Sequence, residues 1–360
     1  MKIVLATAVL SSLTVMAVAQ DMETVLVTGT YAPMSQLTAA VSVLDKEQIQ
    51  ALNKRSLADV LQTVPGLLVE RQGGPGGLTA VSIRGAESNF TLVLLDGVPV
   101  NDPTNTRGGS FDFANLNPAL VERIEIVRGA QSAIYGSDAL AGVINIISRR
   151  PVDGHQAQLL GEWGEDDYAN YAASAQGSGG GWDYAIGFSH RDDGEPVPGS
   201  TRESDNADLR LGWEGVEGHR VEFAYRYLDG ERSSYPEQSG GPEYALTDDL
   251  DVGEYRDEVY ALSWRAQLQE NWSSHLSLDR FSHEDDLASP GIPPYLEVPP
   301  NAAETEFDRD QLRWVNTLSL AQHTELNVGA DYRDEDGESE GYVAYFGLQV
   351  PTNFALDRST

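Results

Sequence analysis

Residues 134–151 read IYGSDALAGVINIISRRP, and this stretch decides how the chain divides into two parts. It begins with an aromatic residue, a glycine and small residues, continues as a β-branched apolar run, and ends at two arginines and a proline. The run at 143–147 predicts a buried strand. At Pro151 the pattern changes from a compact, mixed one to segments of period two that polar, acidic loops interrupt.

No motif in this stretch or around it indicates catalysis. Gly136 and Gly142 are not followed by a Lys-Ser/Thr pair, so this is not a Walker A loop. Ser137 does not lie in G-x-S-x-G, and GGPGG at 73–77 lacks the spacing of a dinucleotide-binding loop. The six histidines show no H-E-x-x-H or paired-ligand spacing. We therefore expect a protein that is not an enzyme and has no catalytic residues.

The overall composition excludes several other classes of function. The 360 residues include 24 Lys and Arg against 56 Asp and Glu, which gives a formal charge of -32. Binding to nucleic acid through phosphates needs clustered cations, so this balance argues against it. The chain has no cysteine, which excludes disulfides, thiolate metal sites and cysteine nucleophiles.

The first nineteen residues read as a secretory signal peptide. A lysine precedes an apolar segment, and Ala17-Val18-Ala19 forms an A-x-A cleavage site before Gln20. The alternative is a short membrane anchor, for which the segment is short and lacks a stop-transfer flank. No later segment approaches the ~20 continuous apolar residues of a membrane helix. If the mature chain enters a membrane, it does so as β-structure.

Residues 21–150 predict a small α+β domain. Asp45 starts a capping-box pattern in DKEQIQALN, and Ser56 is a good N-cap for the helix SLADVLQTVPG. The segment FTLVLLDGVPV predicts a buried strand and an Asp-Gly turn. Asn117 predicts another N-cap, one or two helical turns before a strand.

The remainder of the chain alternates apolar and polar residues in about nine segments of about ten residues each. Tight linkers alternate with long acidic ones such as 230–254 and 285–304. This asymmetry favours a membrane β-barrel. A secreted β-sandwich or a solenoid also alternates and stays open on these grounds, because the pattern does not say which face meets lipid.

Several segments resemble the TonB-dependent outer-membrane receptor family. ETVLVTGT is similar to a TonB box, and SLADVLQTVPGLLVERQGG, VSIRGAESNFTLVLLDGVPVN and NPALVERIEIVRGAQSAIYGSDALAGVINIISRR follow in the order of its plug domain. Within that family the chain is most similar to cobalamin (vitamin B12) receptors, through the YGSDA core, the compact plug and the phrase GEWGEDDYANYAASAQ. The resemblance implies a signal peptide at 1–19, a TonB-box segment at 20–30, a plug at 31–150 and a transmembrane antiparallel β-barrel, partly present, at 151–360.

The function that the resemblance implies is active import of a large scarce nutrient, cobalamin first, across the outer membrane of a Gram-negative bacterium. TonB, energised together with ExbB and ExbD, would bind the box as an added strand at the edge of its own sheet and would then pull on it. The box residues are Glu23, Thr24, Val25, Leu26, Val27 and Thr28. The alternatives are a ferric siderophore or haem receptor of the same family, a passive porin, and a secreted adhesin or enzyme.

The resemblance also suggests site residues. For ligand contact they are Leu78, Ala80, Glu87, Asn105, Thr106 and Arg107. For calcium in the outer loops, the only cofactor implied, they are Asp193, Asp205, Asp208 and Asp251, which a solvated acidic loop would also explain. Arg84 and Arg128, in IRG and VRG, are expected to pair with acidic residues of the barrel wall and hold the plug.

The number of strand-like segments is less than half of the ~22 strands that a plugged transporter barrel has. An open barrel in lipid would leave unpaired strand edges, which is costly. The expectation from the sequence is therefore a partial barrel that does not work alone as a transporter.

Overall fold

The computed structural model describes residues 24–25, 32–33, 40–72, 76–104, 109–135, 137–321 and 324–360. The predicted signal peptide and Gly136 lie outside the described residues, as does the predicted TonB box except for Thr24 and Val25. Those two residues are extended and pair antiparallel with Ala32–Pro33. None of the described helices is long and apolar enough to cross a membrane.

The N-terminal domain combines short strands with short helices, as the sequence predicts. Its elements are β1 (Thr24–Val25), β2 (Ala32–Pro33), β3 (Ala40–Asp45), α1 (Lys46–Leu52), α2 (Leu57–Leu61), β4 (Leu67–Arg71), β5 (Thr79–Ile83), β6 (Thr91–Leu95), β7 (Val98–Pro99), β8 (Val121–Arg128), α3 (Ser132–Tyr135) and β9 (Gly142–Ser148), with 3-10 turns at Ser88–Phe90, Phe113–Asn115, Pro118–Leu120 and Ser137–Ala139.

The central sheet of this domain has the order β3-β8-β9-β6-β7. β9, the strand of the opening stretch, lies in the middle, pairing antiparallel with β8 and parallel with β6, and all its residues are buried. Gly142 starts it at φ +155, where a Cβ would overlap the carbonyl oxygen of Val127 and lie 2.8 Å from Ile83 Cδ1. The glycine is therefore required by the close approach of β8 and β9.

The predicted caps are confirmed. Asp45 caps α1 in a full capping box with Gln48, and Ser56 caps α2 by accepting from the backbone N–H of Asp59. α2 is shorter than predicted, because the chain leaves the helix at Gln62 and continues through turns to β4. The Asp96–Gly97 turn is also confirmed, with both residues at positive φ, as a two-residue hairpin of type I′ requires.

The second part of the chain is one ten-stranded antiparallel sheet in which each strand pairs with the next. We call it the large sheet; its strands are β10 (Gly154–Trp163), β11 (Ala169–Gly179), β12 (Trp182–Asp192), β13 (Thr201–Val216), β14 (His219–Ser234), β15 (Asp251–Gln269), β16 (Trp272–Ser289), β17 (Asn301–Ala321), β18 (Thr324–Tyr345) and β19 (Leu348–Ser359), with the short α4 (Gly241–Tyr244) in one loop.

The strands are longer than the sequence predicted. β13 to β18 have 16 to 22 residues each, so much of the segments read as long loops is strand. Short turns such as 180–181, 217–218 and 270–271 lie at one end of the sheet, the turn end. The longer connections 193–200, 235–250 and 290–300 lie at the other, the loop end.

The two faces of the large sheet differ in chemistry. Along each strand, every second side chain points outward, and these outward positions are largely apolar and exposed. Examples are Trp182, Phe188, Leu211, Leu262 and Trp314. The opposite phase, the inward face, is mostly polar and packs on the N-terminal domain. A few inward apolar side chains, namely Leu228, Tyr255, Val259, Phe281 and Phe307, join the core of that domain, so the two parts share one core.

Candidate functional site

The contact between the N-terminal domain and the inward face is built around buried arginines of the large sheet. A buried guanidinium is costly unless its donors are satisfied. Six of these arginines are at most 8 % exposed, and each finds partners on the domain or on the sheet around it: Arg191, Arg202, Arg210, Arg226, Arg232 and Arg309.

Three of these arginines bind main-chain carbonyls of the N-terminal domain. Arg191 donates to the carbonyl oxygens of Arg55 (3.1 Å), Leu116 (3.4 Å) and Ala114. A carbonyl is present whatever the side chain, so this contact depends on the path of the backbone rather than on its sequence.

Arg309 makes the same kind of contact next to the β6–β7 hairpin of the N-terminal domain. It donates to the carbonyls of Pro99 (3.0 Å) and Asn101 (2.9 Å), while its Nε pairs with Glu335 at 2.7 Å. The third arginine, Arg202, donates to the carbonyl of Gly77 at 2.8 Å. All three therefore hold loops and turns of the domain against the large sheet, which we also call the wall.

Asp96 is the acidic centre of the contact. Its carboxylate lies 2.7 Å from Arg210, 3.7 Å from Arg226 and 3.8 Å from Arg150. Ser148 donates to it through both its N–H (3.1 Å) and its hydroxyl (2.7 Å). Burial alone would raise the pKa of Asp96, but the arginines, Arg210 foremost, hold it well below its ordinary value.

A second acid carries the network toward the turn end. Glu222, on β14, pairs with Arg210, with Arg150 at 3.3 Å and with Arg220 at 3.0 Å. Because Arg150 and Arg210 also reach Asp96, the two carboxylates share their cations. Arg150, near the end of the opening stretch, thus joins the domain to the large sheet, whereas Arg149 pairs with Glu122 inside the domain.

At the loop end a small cavity lies between the N-terminal domain and the wall. Its volume is about 40 Å³, and it is lined by Leu78, Val100, Asp102, Ser110, Phe111, Asp112 and Asn115 from the domain and by Arg232, Tyr255, Asp257, His283, Asp285 and Leu287 from the sheet. Here both parts offer polar side chains to a shared space near the loops.

The predicted ligand contacts separate in the structure. Leu78 lines the cavity. Ala80 lies inside β5 and is buried, and Glu87 is exposed before a 3-10 turn; neither lines the cavity. Asn105, Thr106 and Arg107 lie outside the described residues. Ligand contact by these residues stays a prediction.

The predicted pairing of Arg84 and Arg128 with the barrel wall is not seen at the described contact and stays a prediction. Arg84 is exposed, and Arg128 donates to the carbonyl of Pro65 at 3.3 Å. Within the described part of the chain, neither forms an ion pair with the large sheet. At the described contact the expected distribution of charge is mainly reversed. The large sheet supplies most of the guanidinium groups, and the domain supplies Asp96, Asp112 and carbonyls.

The predicted calcium residues do not form one set. Asp193 pairs with Arg191 at 3.1 Å, and Asp208 is buried in a 2.6 Å pair with Arg226. Asp251 begins β15. Only Asp205 belongs to a group with metal-ligand spacing: among the described residues, His190, Glu203 and Asp205 place ligand atoms within 4.8 Å of one another on the outward face. Calcium binding stays a prediction.

The sequence reading missed the wall arginines, although a signal was present. Arg202 and Arg210 are eight residues apart on β13, and Arg226 and Arg232 are six apart on β14. An even spacing in a strand places side chains on one face. In both strands that face is opposite to the aromatic one, which marks it as the buried polar face.

Comparison with known proteins agrees with this architecture. Residues 33–143 match the family described as TonB-dependent Receptor Plug Domain. The siderophore receptor PiuA from Acinetobacter baumannii is similar over 94 % of this chain and 55 % of its own, with 18 % identity and a TM-score of 0.73.

Two further structures show the same likeness. The pyoverdine outer-membrane receptor FpvA from Pseudomonas aeruginosa covers 93 % of this chain and 54 % of its own, at 16 % identity and a TM-score of 0.75. The ferric citrate transporter FecA covers 90 % of this chain and 51 % of its own, at 16 % identity and a TM-score of 0.67. The chain thus spans about half the length of these structures, and the likeness shows the fold: a plug domain followed by a large antiparallel sheet.

Proposed function

We propose that this chain acts in a TonB-dependent outer-membrane receptor that actively imports a metal chelate. The observation that carries the proposal is a plug-type domain held on the polar inward face of a sheet whose outward face is apolar. An outward apolar face suits lipid, and a plug in the lumen suits gated rather than passive passage. A passive porin would have no use for either the plug or its arginine contacts.

A ferric chelate is the better supported ligand. The similar structures are described as receptors or transporters for siderophores, pyoverdine and ferric citrate. Cobalamin, which the sequence resemblance suggested first, does not occur among these descriptions. We therefore place the ferric siderophore alternative ahead of the corrinoid one.

In the proposed mechanism the ligand binds at the loop end, which faces outward from the cell, and the plug then yields. TonB, energised through ExbB and ExbD, takes the segment of Glu23 to Thr28 as an added strand and pulls. The contacts that hold the plug are many and separate, and water can replace a carbonyl as the partner of an arginine. They can therefore be released one at a time, without a single large barrier.

Export and location follow the same proposal. The signal peptide at 1–19 is removed before Gln20, and the sheet inserts with its apolar outward side chains in the outer membrane of a Gram-negative bacterium. The exposed side chains Leu211, Leu262 and Trp314 lie in the proposed lipid band.

The test uses one residue of the proposed TonB box. Val25→Pro removes a backbone N–H that strand addition needs, whereas the control Val25→Ala keeps it. In cells carrying the full receptor, the proline variant should lose energised uptake of the ferric chelate but retain surface binding, and the alanine variant should keep both. Equal uptake by the two variants would contradict TonB-dependent transport and favour a passive pore.

A further inference from the structure

The connections at the loop end of the large sheet carry acidic charges only. Every charged residue in its connections 164–168, 193–200, 235–250 and 290–300 is an acid, namely Glu165, Asp166, Asp167, Asp193, Glu195, Glu237, Glu243, Asp248, Asp249 and Glu297. Just below, one row of directly paired outward residues crosses six strands and is acidic throughout: Glu203, Glu231, Glu254, Asp286, Glu304 and Glu340. A field of this sign attracts cationic ligands and repels anionic ones.

The cavity at this end contains a buried carboxylate oxygen without a hydrogen-bond partner. Asp102 is 3 % exposed. Its Oδ1 accepts from the N–H (2.7 Å) and the hydroxyl (2.6 Å) of Thr104, but its Oδ2 has no hydrogen-bond partner in the described part of the chain. Tyr255 is 4 % exposed, and its hydroxyl likewise has no hydrogen-bond partner among the described residues. Such orphaned groups in a polar cavity need a partner from elsewhere.

The cation beside Asp102 is His283, and it is shared with a second carboxylate, that of Asp257. Arg232 is engaged by Asp285 at 2.9 Å. His283 donates from Nδ1 to the carboxylate of Asp257 at 2.5 Å, and its Nε2 lies 4.0 Å from Asp102 Oδ2, beyond a hydrogen bond. Burial accordingly raises the pKa of Asp102, although His283 and Thr104 oppose the rise. The lining therefore carries more acids than cations.

We propose that this cavity receives a protonated amine of the imported compound, with Asp102 Oδ2 and the Tyr255 hydroxyl as its acceptors. This deepens the proposed function and rests on it: the chelate is one that carries a free amine. A volume of about 40 Å³ accommodates a group the size of a terminal ammonium, since one water needs about 10–15 Å³ on the same measure.

An organic ammonium fits this place better than a metal ion. Among the described residues, the one group with metal-ligand spacing is His190, Glu203 and Asp205 on the outward face, away from the cavity lining.

The entrance to the cavity is acidic as well. A second cavity of about 20 Å³ shares Leu78 with the first and is also lined by Glu237, so it leads toward the loop 235–250.

The experiment compares two ferric chelates that differ by one charge. Ferrioxamine B, a ferric trihydroxamate with a free primary amine, and its N-acetyl derivative are titrated against the purified full receptor without TonB. The variants are Asp102→Asn, which keeps an oxygen for Thr104, and Tyr255→Phe. Asp286→Asn is the matched control, because it removes a nearby outward acid that does not line the cavity.

The wild-type receptor should bind the free amine about tenfold or more tightly than the acetylated compound, the loss expected for one hydrogen bond to a charged group. Asp102→Asn should abolish this preference and Tyr255→Phe reduce it, while Asp286→Asn keeps it. Equal binding of the two compounds by the wild type, binding of neither, or an unchanged preference in Asp102→Asn would overturn the proposal. Since no step uses TonB, these outcomes are independent of the Val25→Pro result.

Discussion

Replacing Asp96 by Asn should loosen the plug from the wall without disturbing the turn that carries the residue. Asn tolerates the left-handed backbone that Asp96 adopts at φ +53, so the hairpin is preserved. What is lost is the negative charge between Arg210, Arg226 and Arg150. The change therefore isolates the electrostatic part of the contact.

The expected size follows from the partners that remain. Removing one member of a buried ion pair costs about 3–5 kcal/mol, and one hydrogen bond to a charged group contributes about 1.5–3 kcal/mol. Arg210 retains Glu222, and Arg226 retains Asp208, so both stay partly compensated. We therefore expect a loss of about 2–4 kcal/mol in the stability of the seated plug.

Amide hydrogen exchange of residues 91–99 in the purified receptor measures this loss. A decrease of 2–4 kcal/mol corresponds to about 30-fold to 700-fold more frequent opening. Glu70→Gln is the control, since Glu70 is exposed on β4. If Asp96→Asn exchanges no faster than this control, the carboxylate does not hold the plug and the reasoning fails.

The pH dependence gives the same prediction a second check. The folded-state pKa of Asp96 is lowered, so its stabilisation is fully present above the unfolded-state pKa of about 3.9 and is lost as the pH falls from there toward the folded-state value. The difference between wild type and Asp96→Asn should therefore be constant near neutral pH and shrink below about pH 4. A difference that grows on acidification would refute the assignment.

Two further changes test the packing and the proposed lipid face. Gly142→Ala should prevent stable folding of the plug, measured as loss of protease-resistant plug, because a Cβ there would overlap the carbonyl oxygen of Val127; the control Gly129→Ala has positive φ but open space and should be much milder. Leu211→Arg should reduce the stability of the sheet in phospholipid vesicles by about 2–4 kcal/mol if the residue lies near the bilayer midplane, measured by urea unfolding. An unchanged urea midpoint would place Leu211 outside the hydrocarbon region.

The sequence predicted features that depend on local chemistry. The caps at Asp45 and Ser56 and the Asp96–Gly97 turn need only residues within a few positions, and all three occur. The order of plug followed by antiparallel strands was likewise predictable from motifs and period. Strand length was not predictable in this way. A strand that continues beyond the proposed lipid band keeps its hydrogen bonds, but its outward residues become acidic and resemble a loop in the sequence, as at Glu203 on β13.

The contacts between plug and wall were beyond the sequence for a different reason. Whether an arginine meets a carboxylate or a carbonyl depends on which loop arrives opposite it, and no pattern in Arg309 or Pro99 reveals that meeting. The prediction from Arg84 and Arg128 placed the cations on the plug, and the structure places most of them on the wall. The signal that the sequence did offer was the even spacing of Arg202 and Arg210 on β13 and of Arg226 and Arg232 on β14.

This distribution of charge matters for a plug that must both hold and release. Guanidinium groups that bind carbonyls, as Arg309 does at Pro99 and Asn101, do not leave a buried charge on the plug when the contact breaks. The charge stays on the wall with its own acid, Glu335 in this case, at 2.7 Å. Asp96 and Asp112 are the exceptions, since their release exposes a carboxylate on the plug. Asp96 has the larger set of partners, with three arginines against Arg202 and Arg232 for Asp112. The plug should therefore open first at its carbonyl contacts and last at Asp96, which makes that residue the strongest single determinant of how much force release requires.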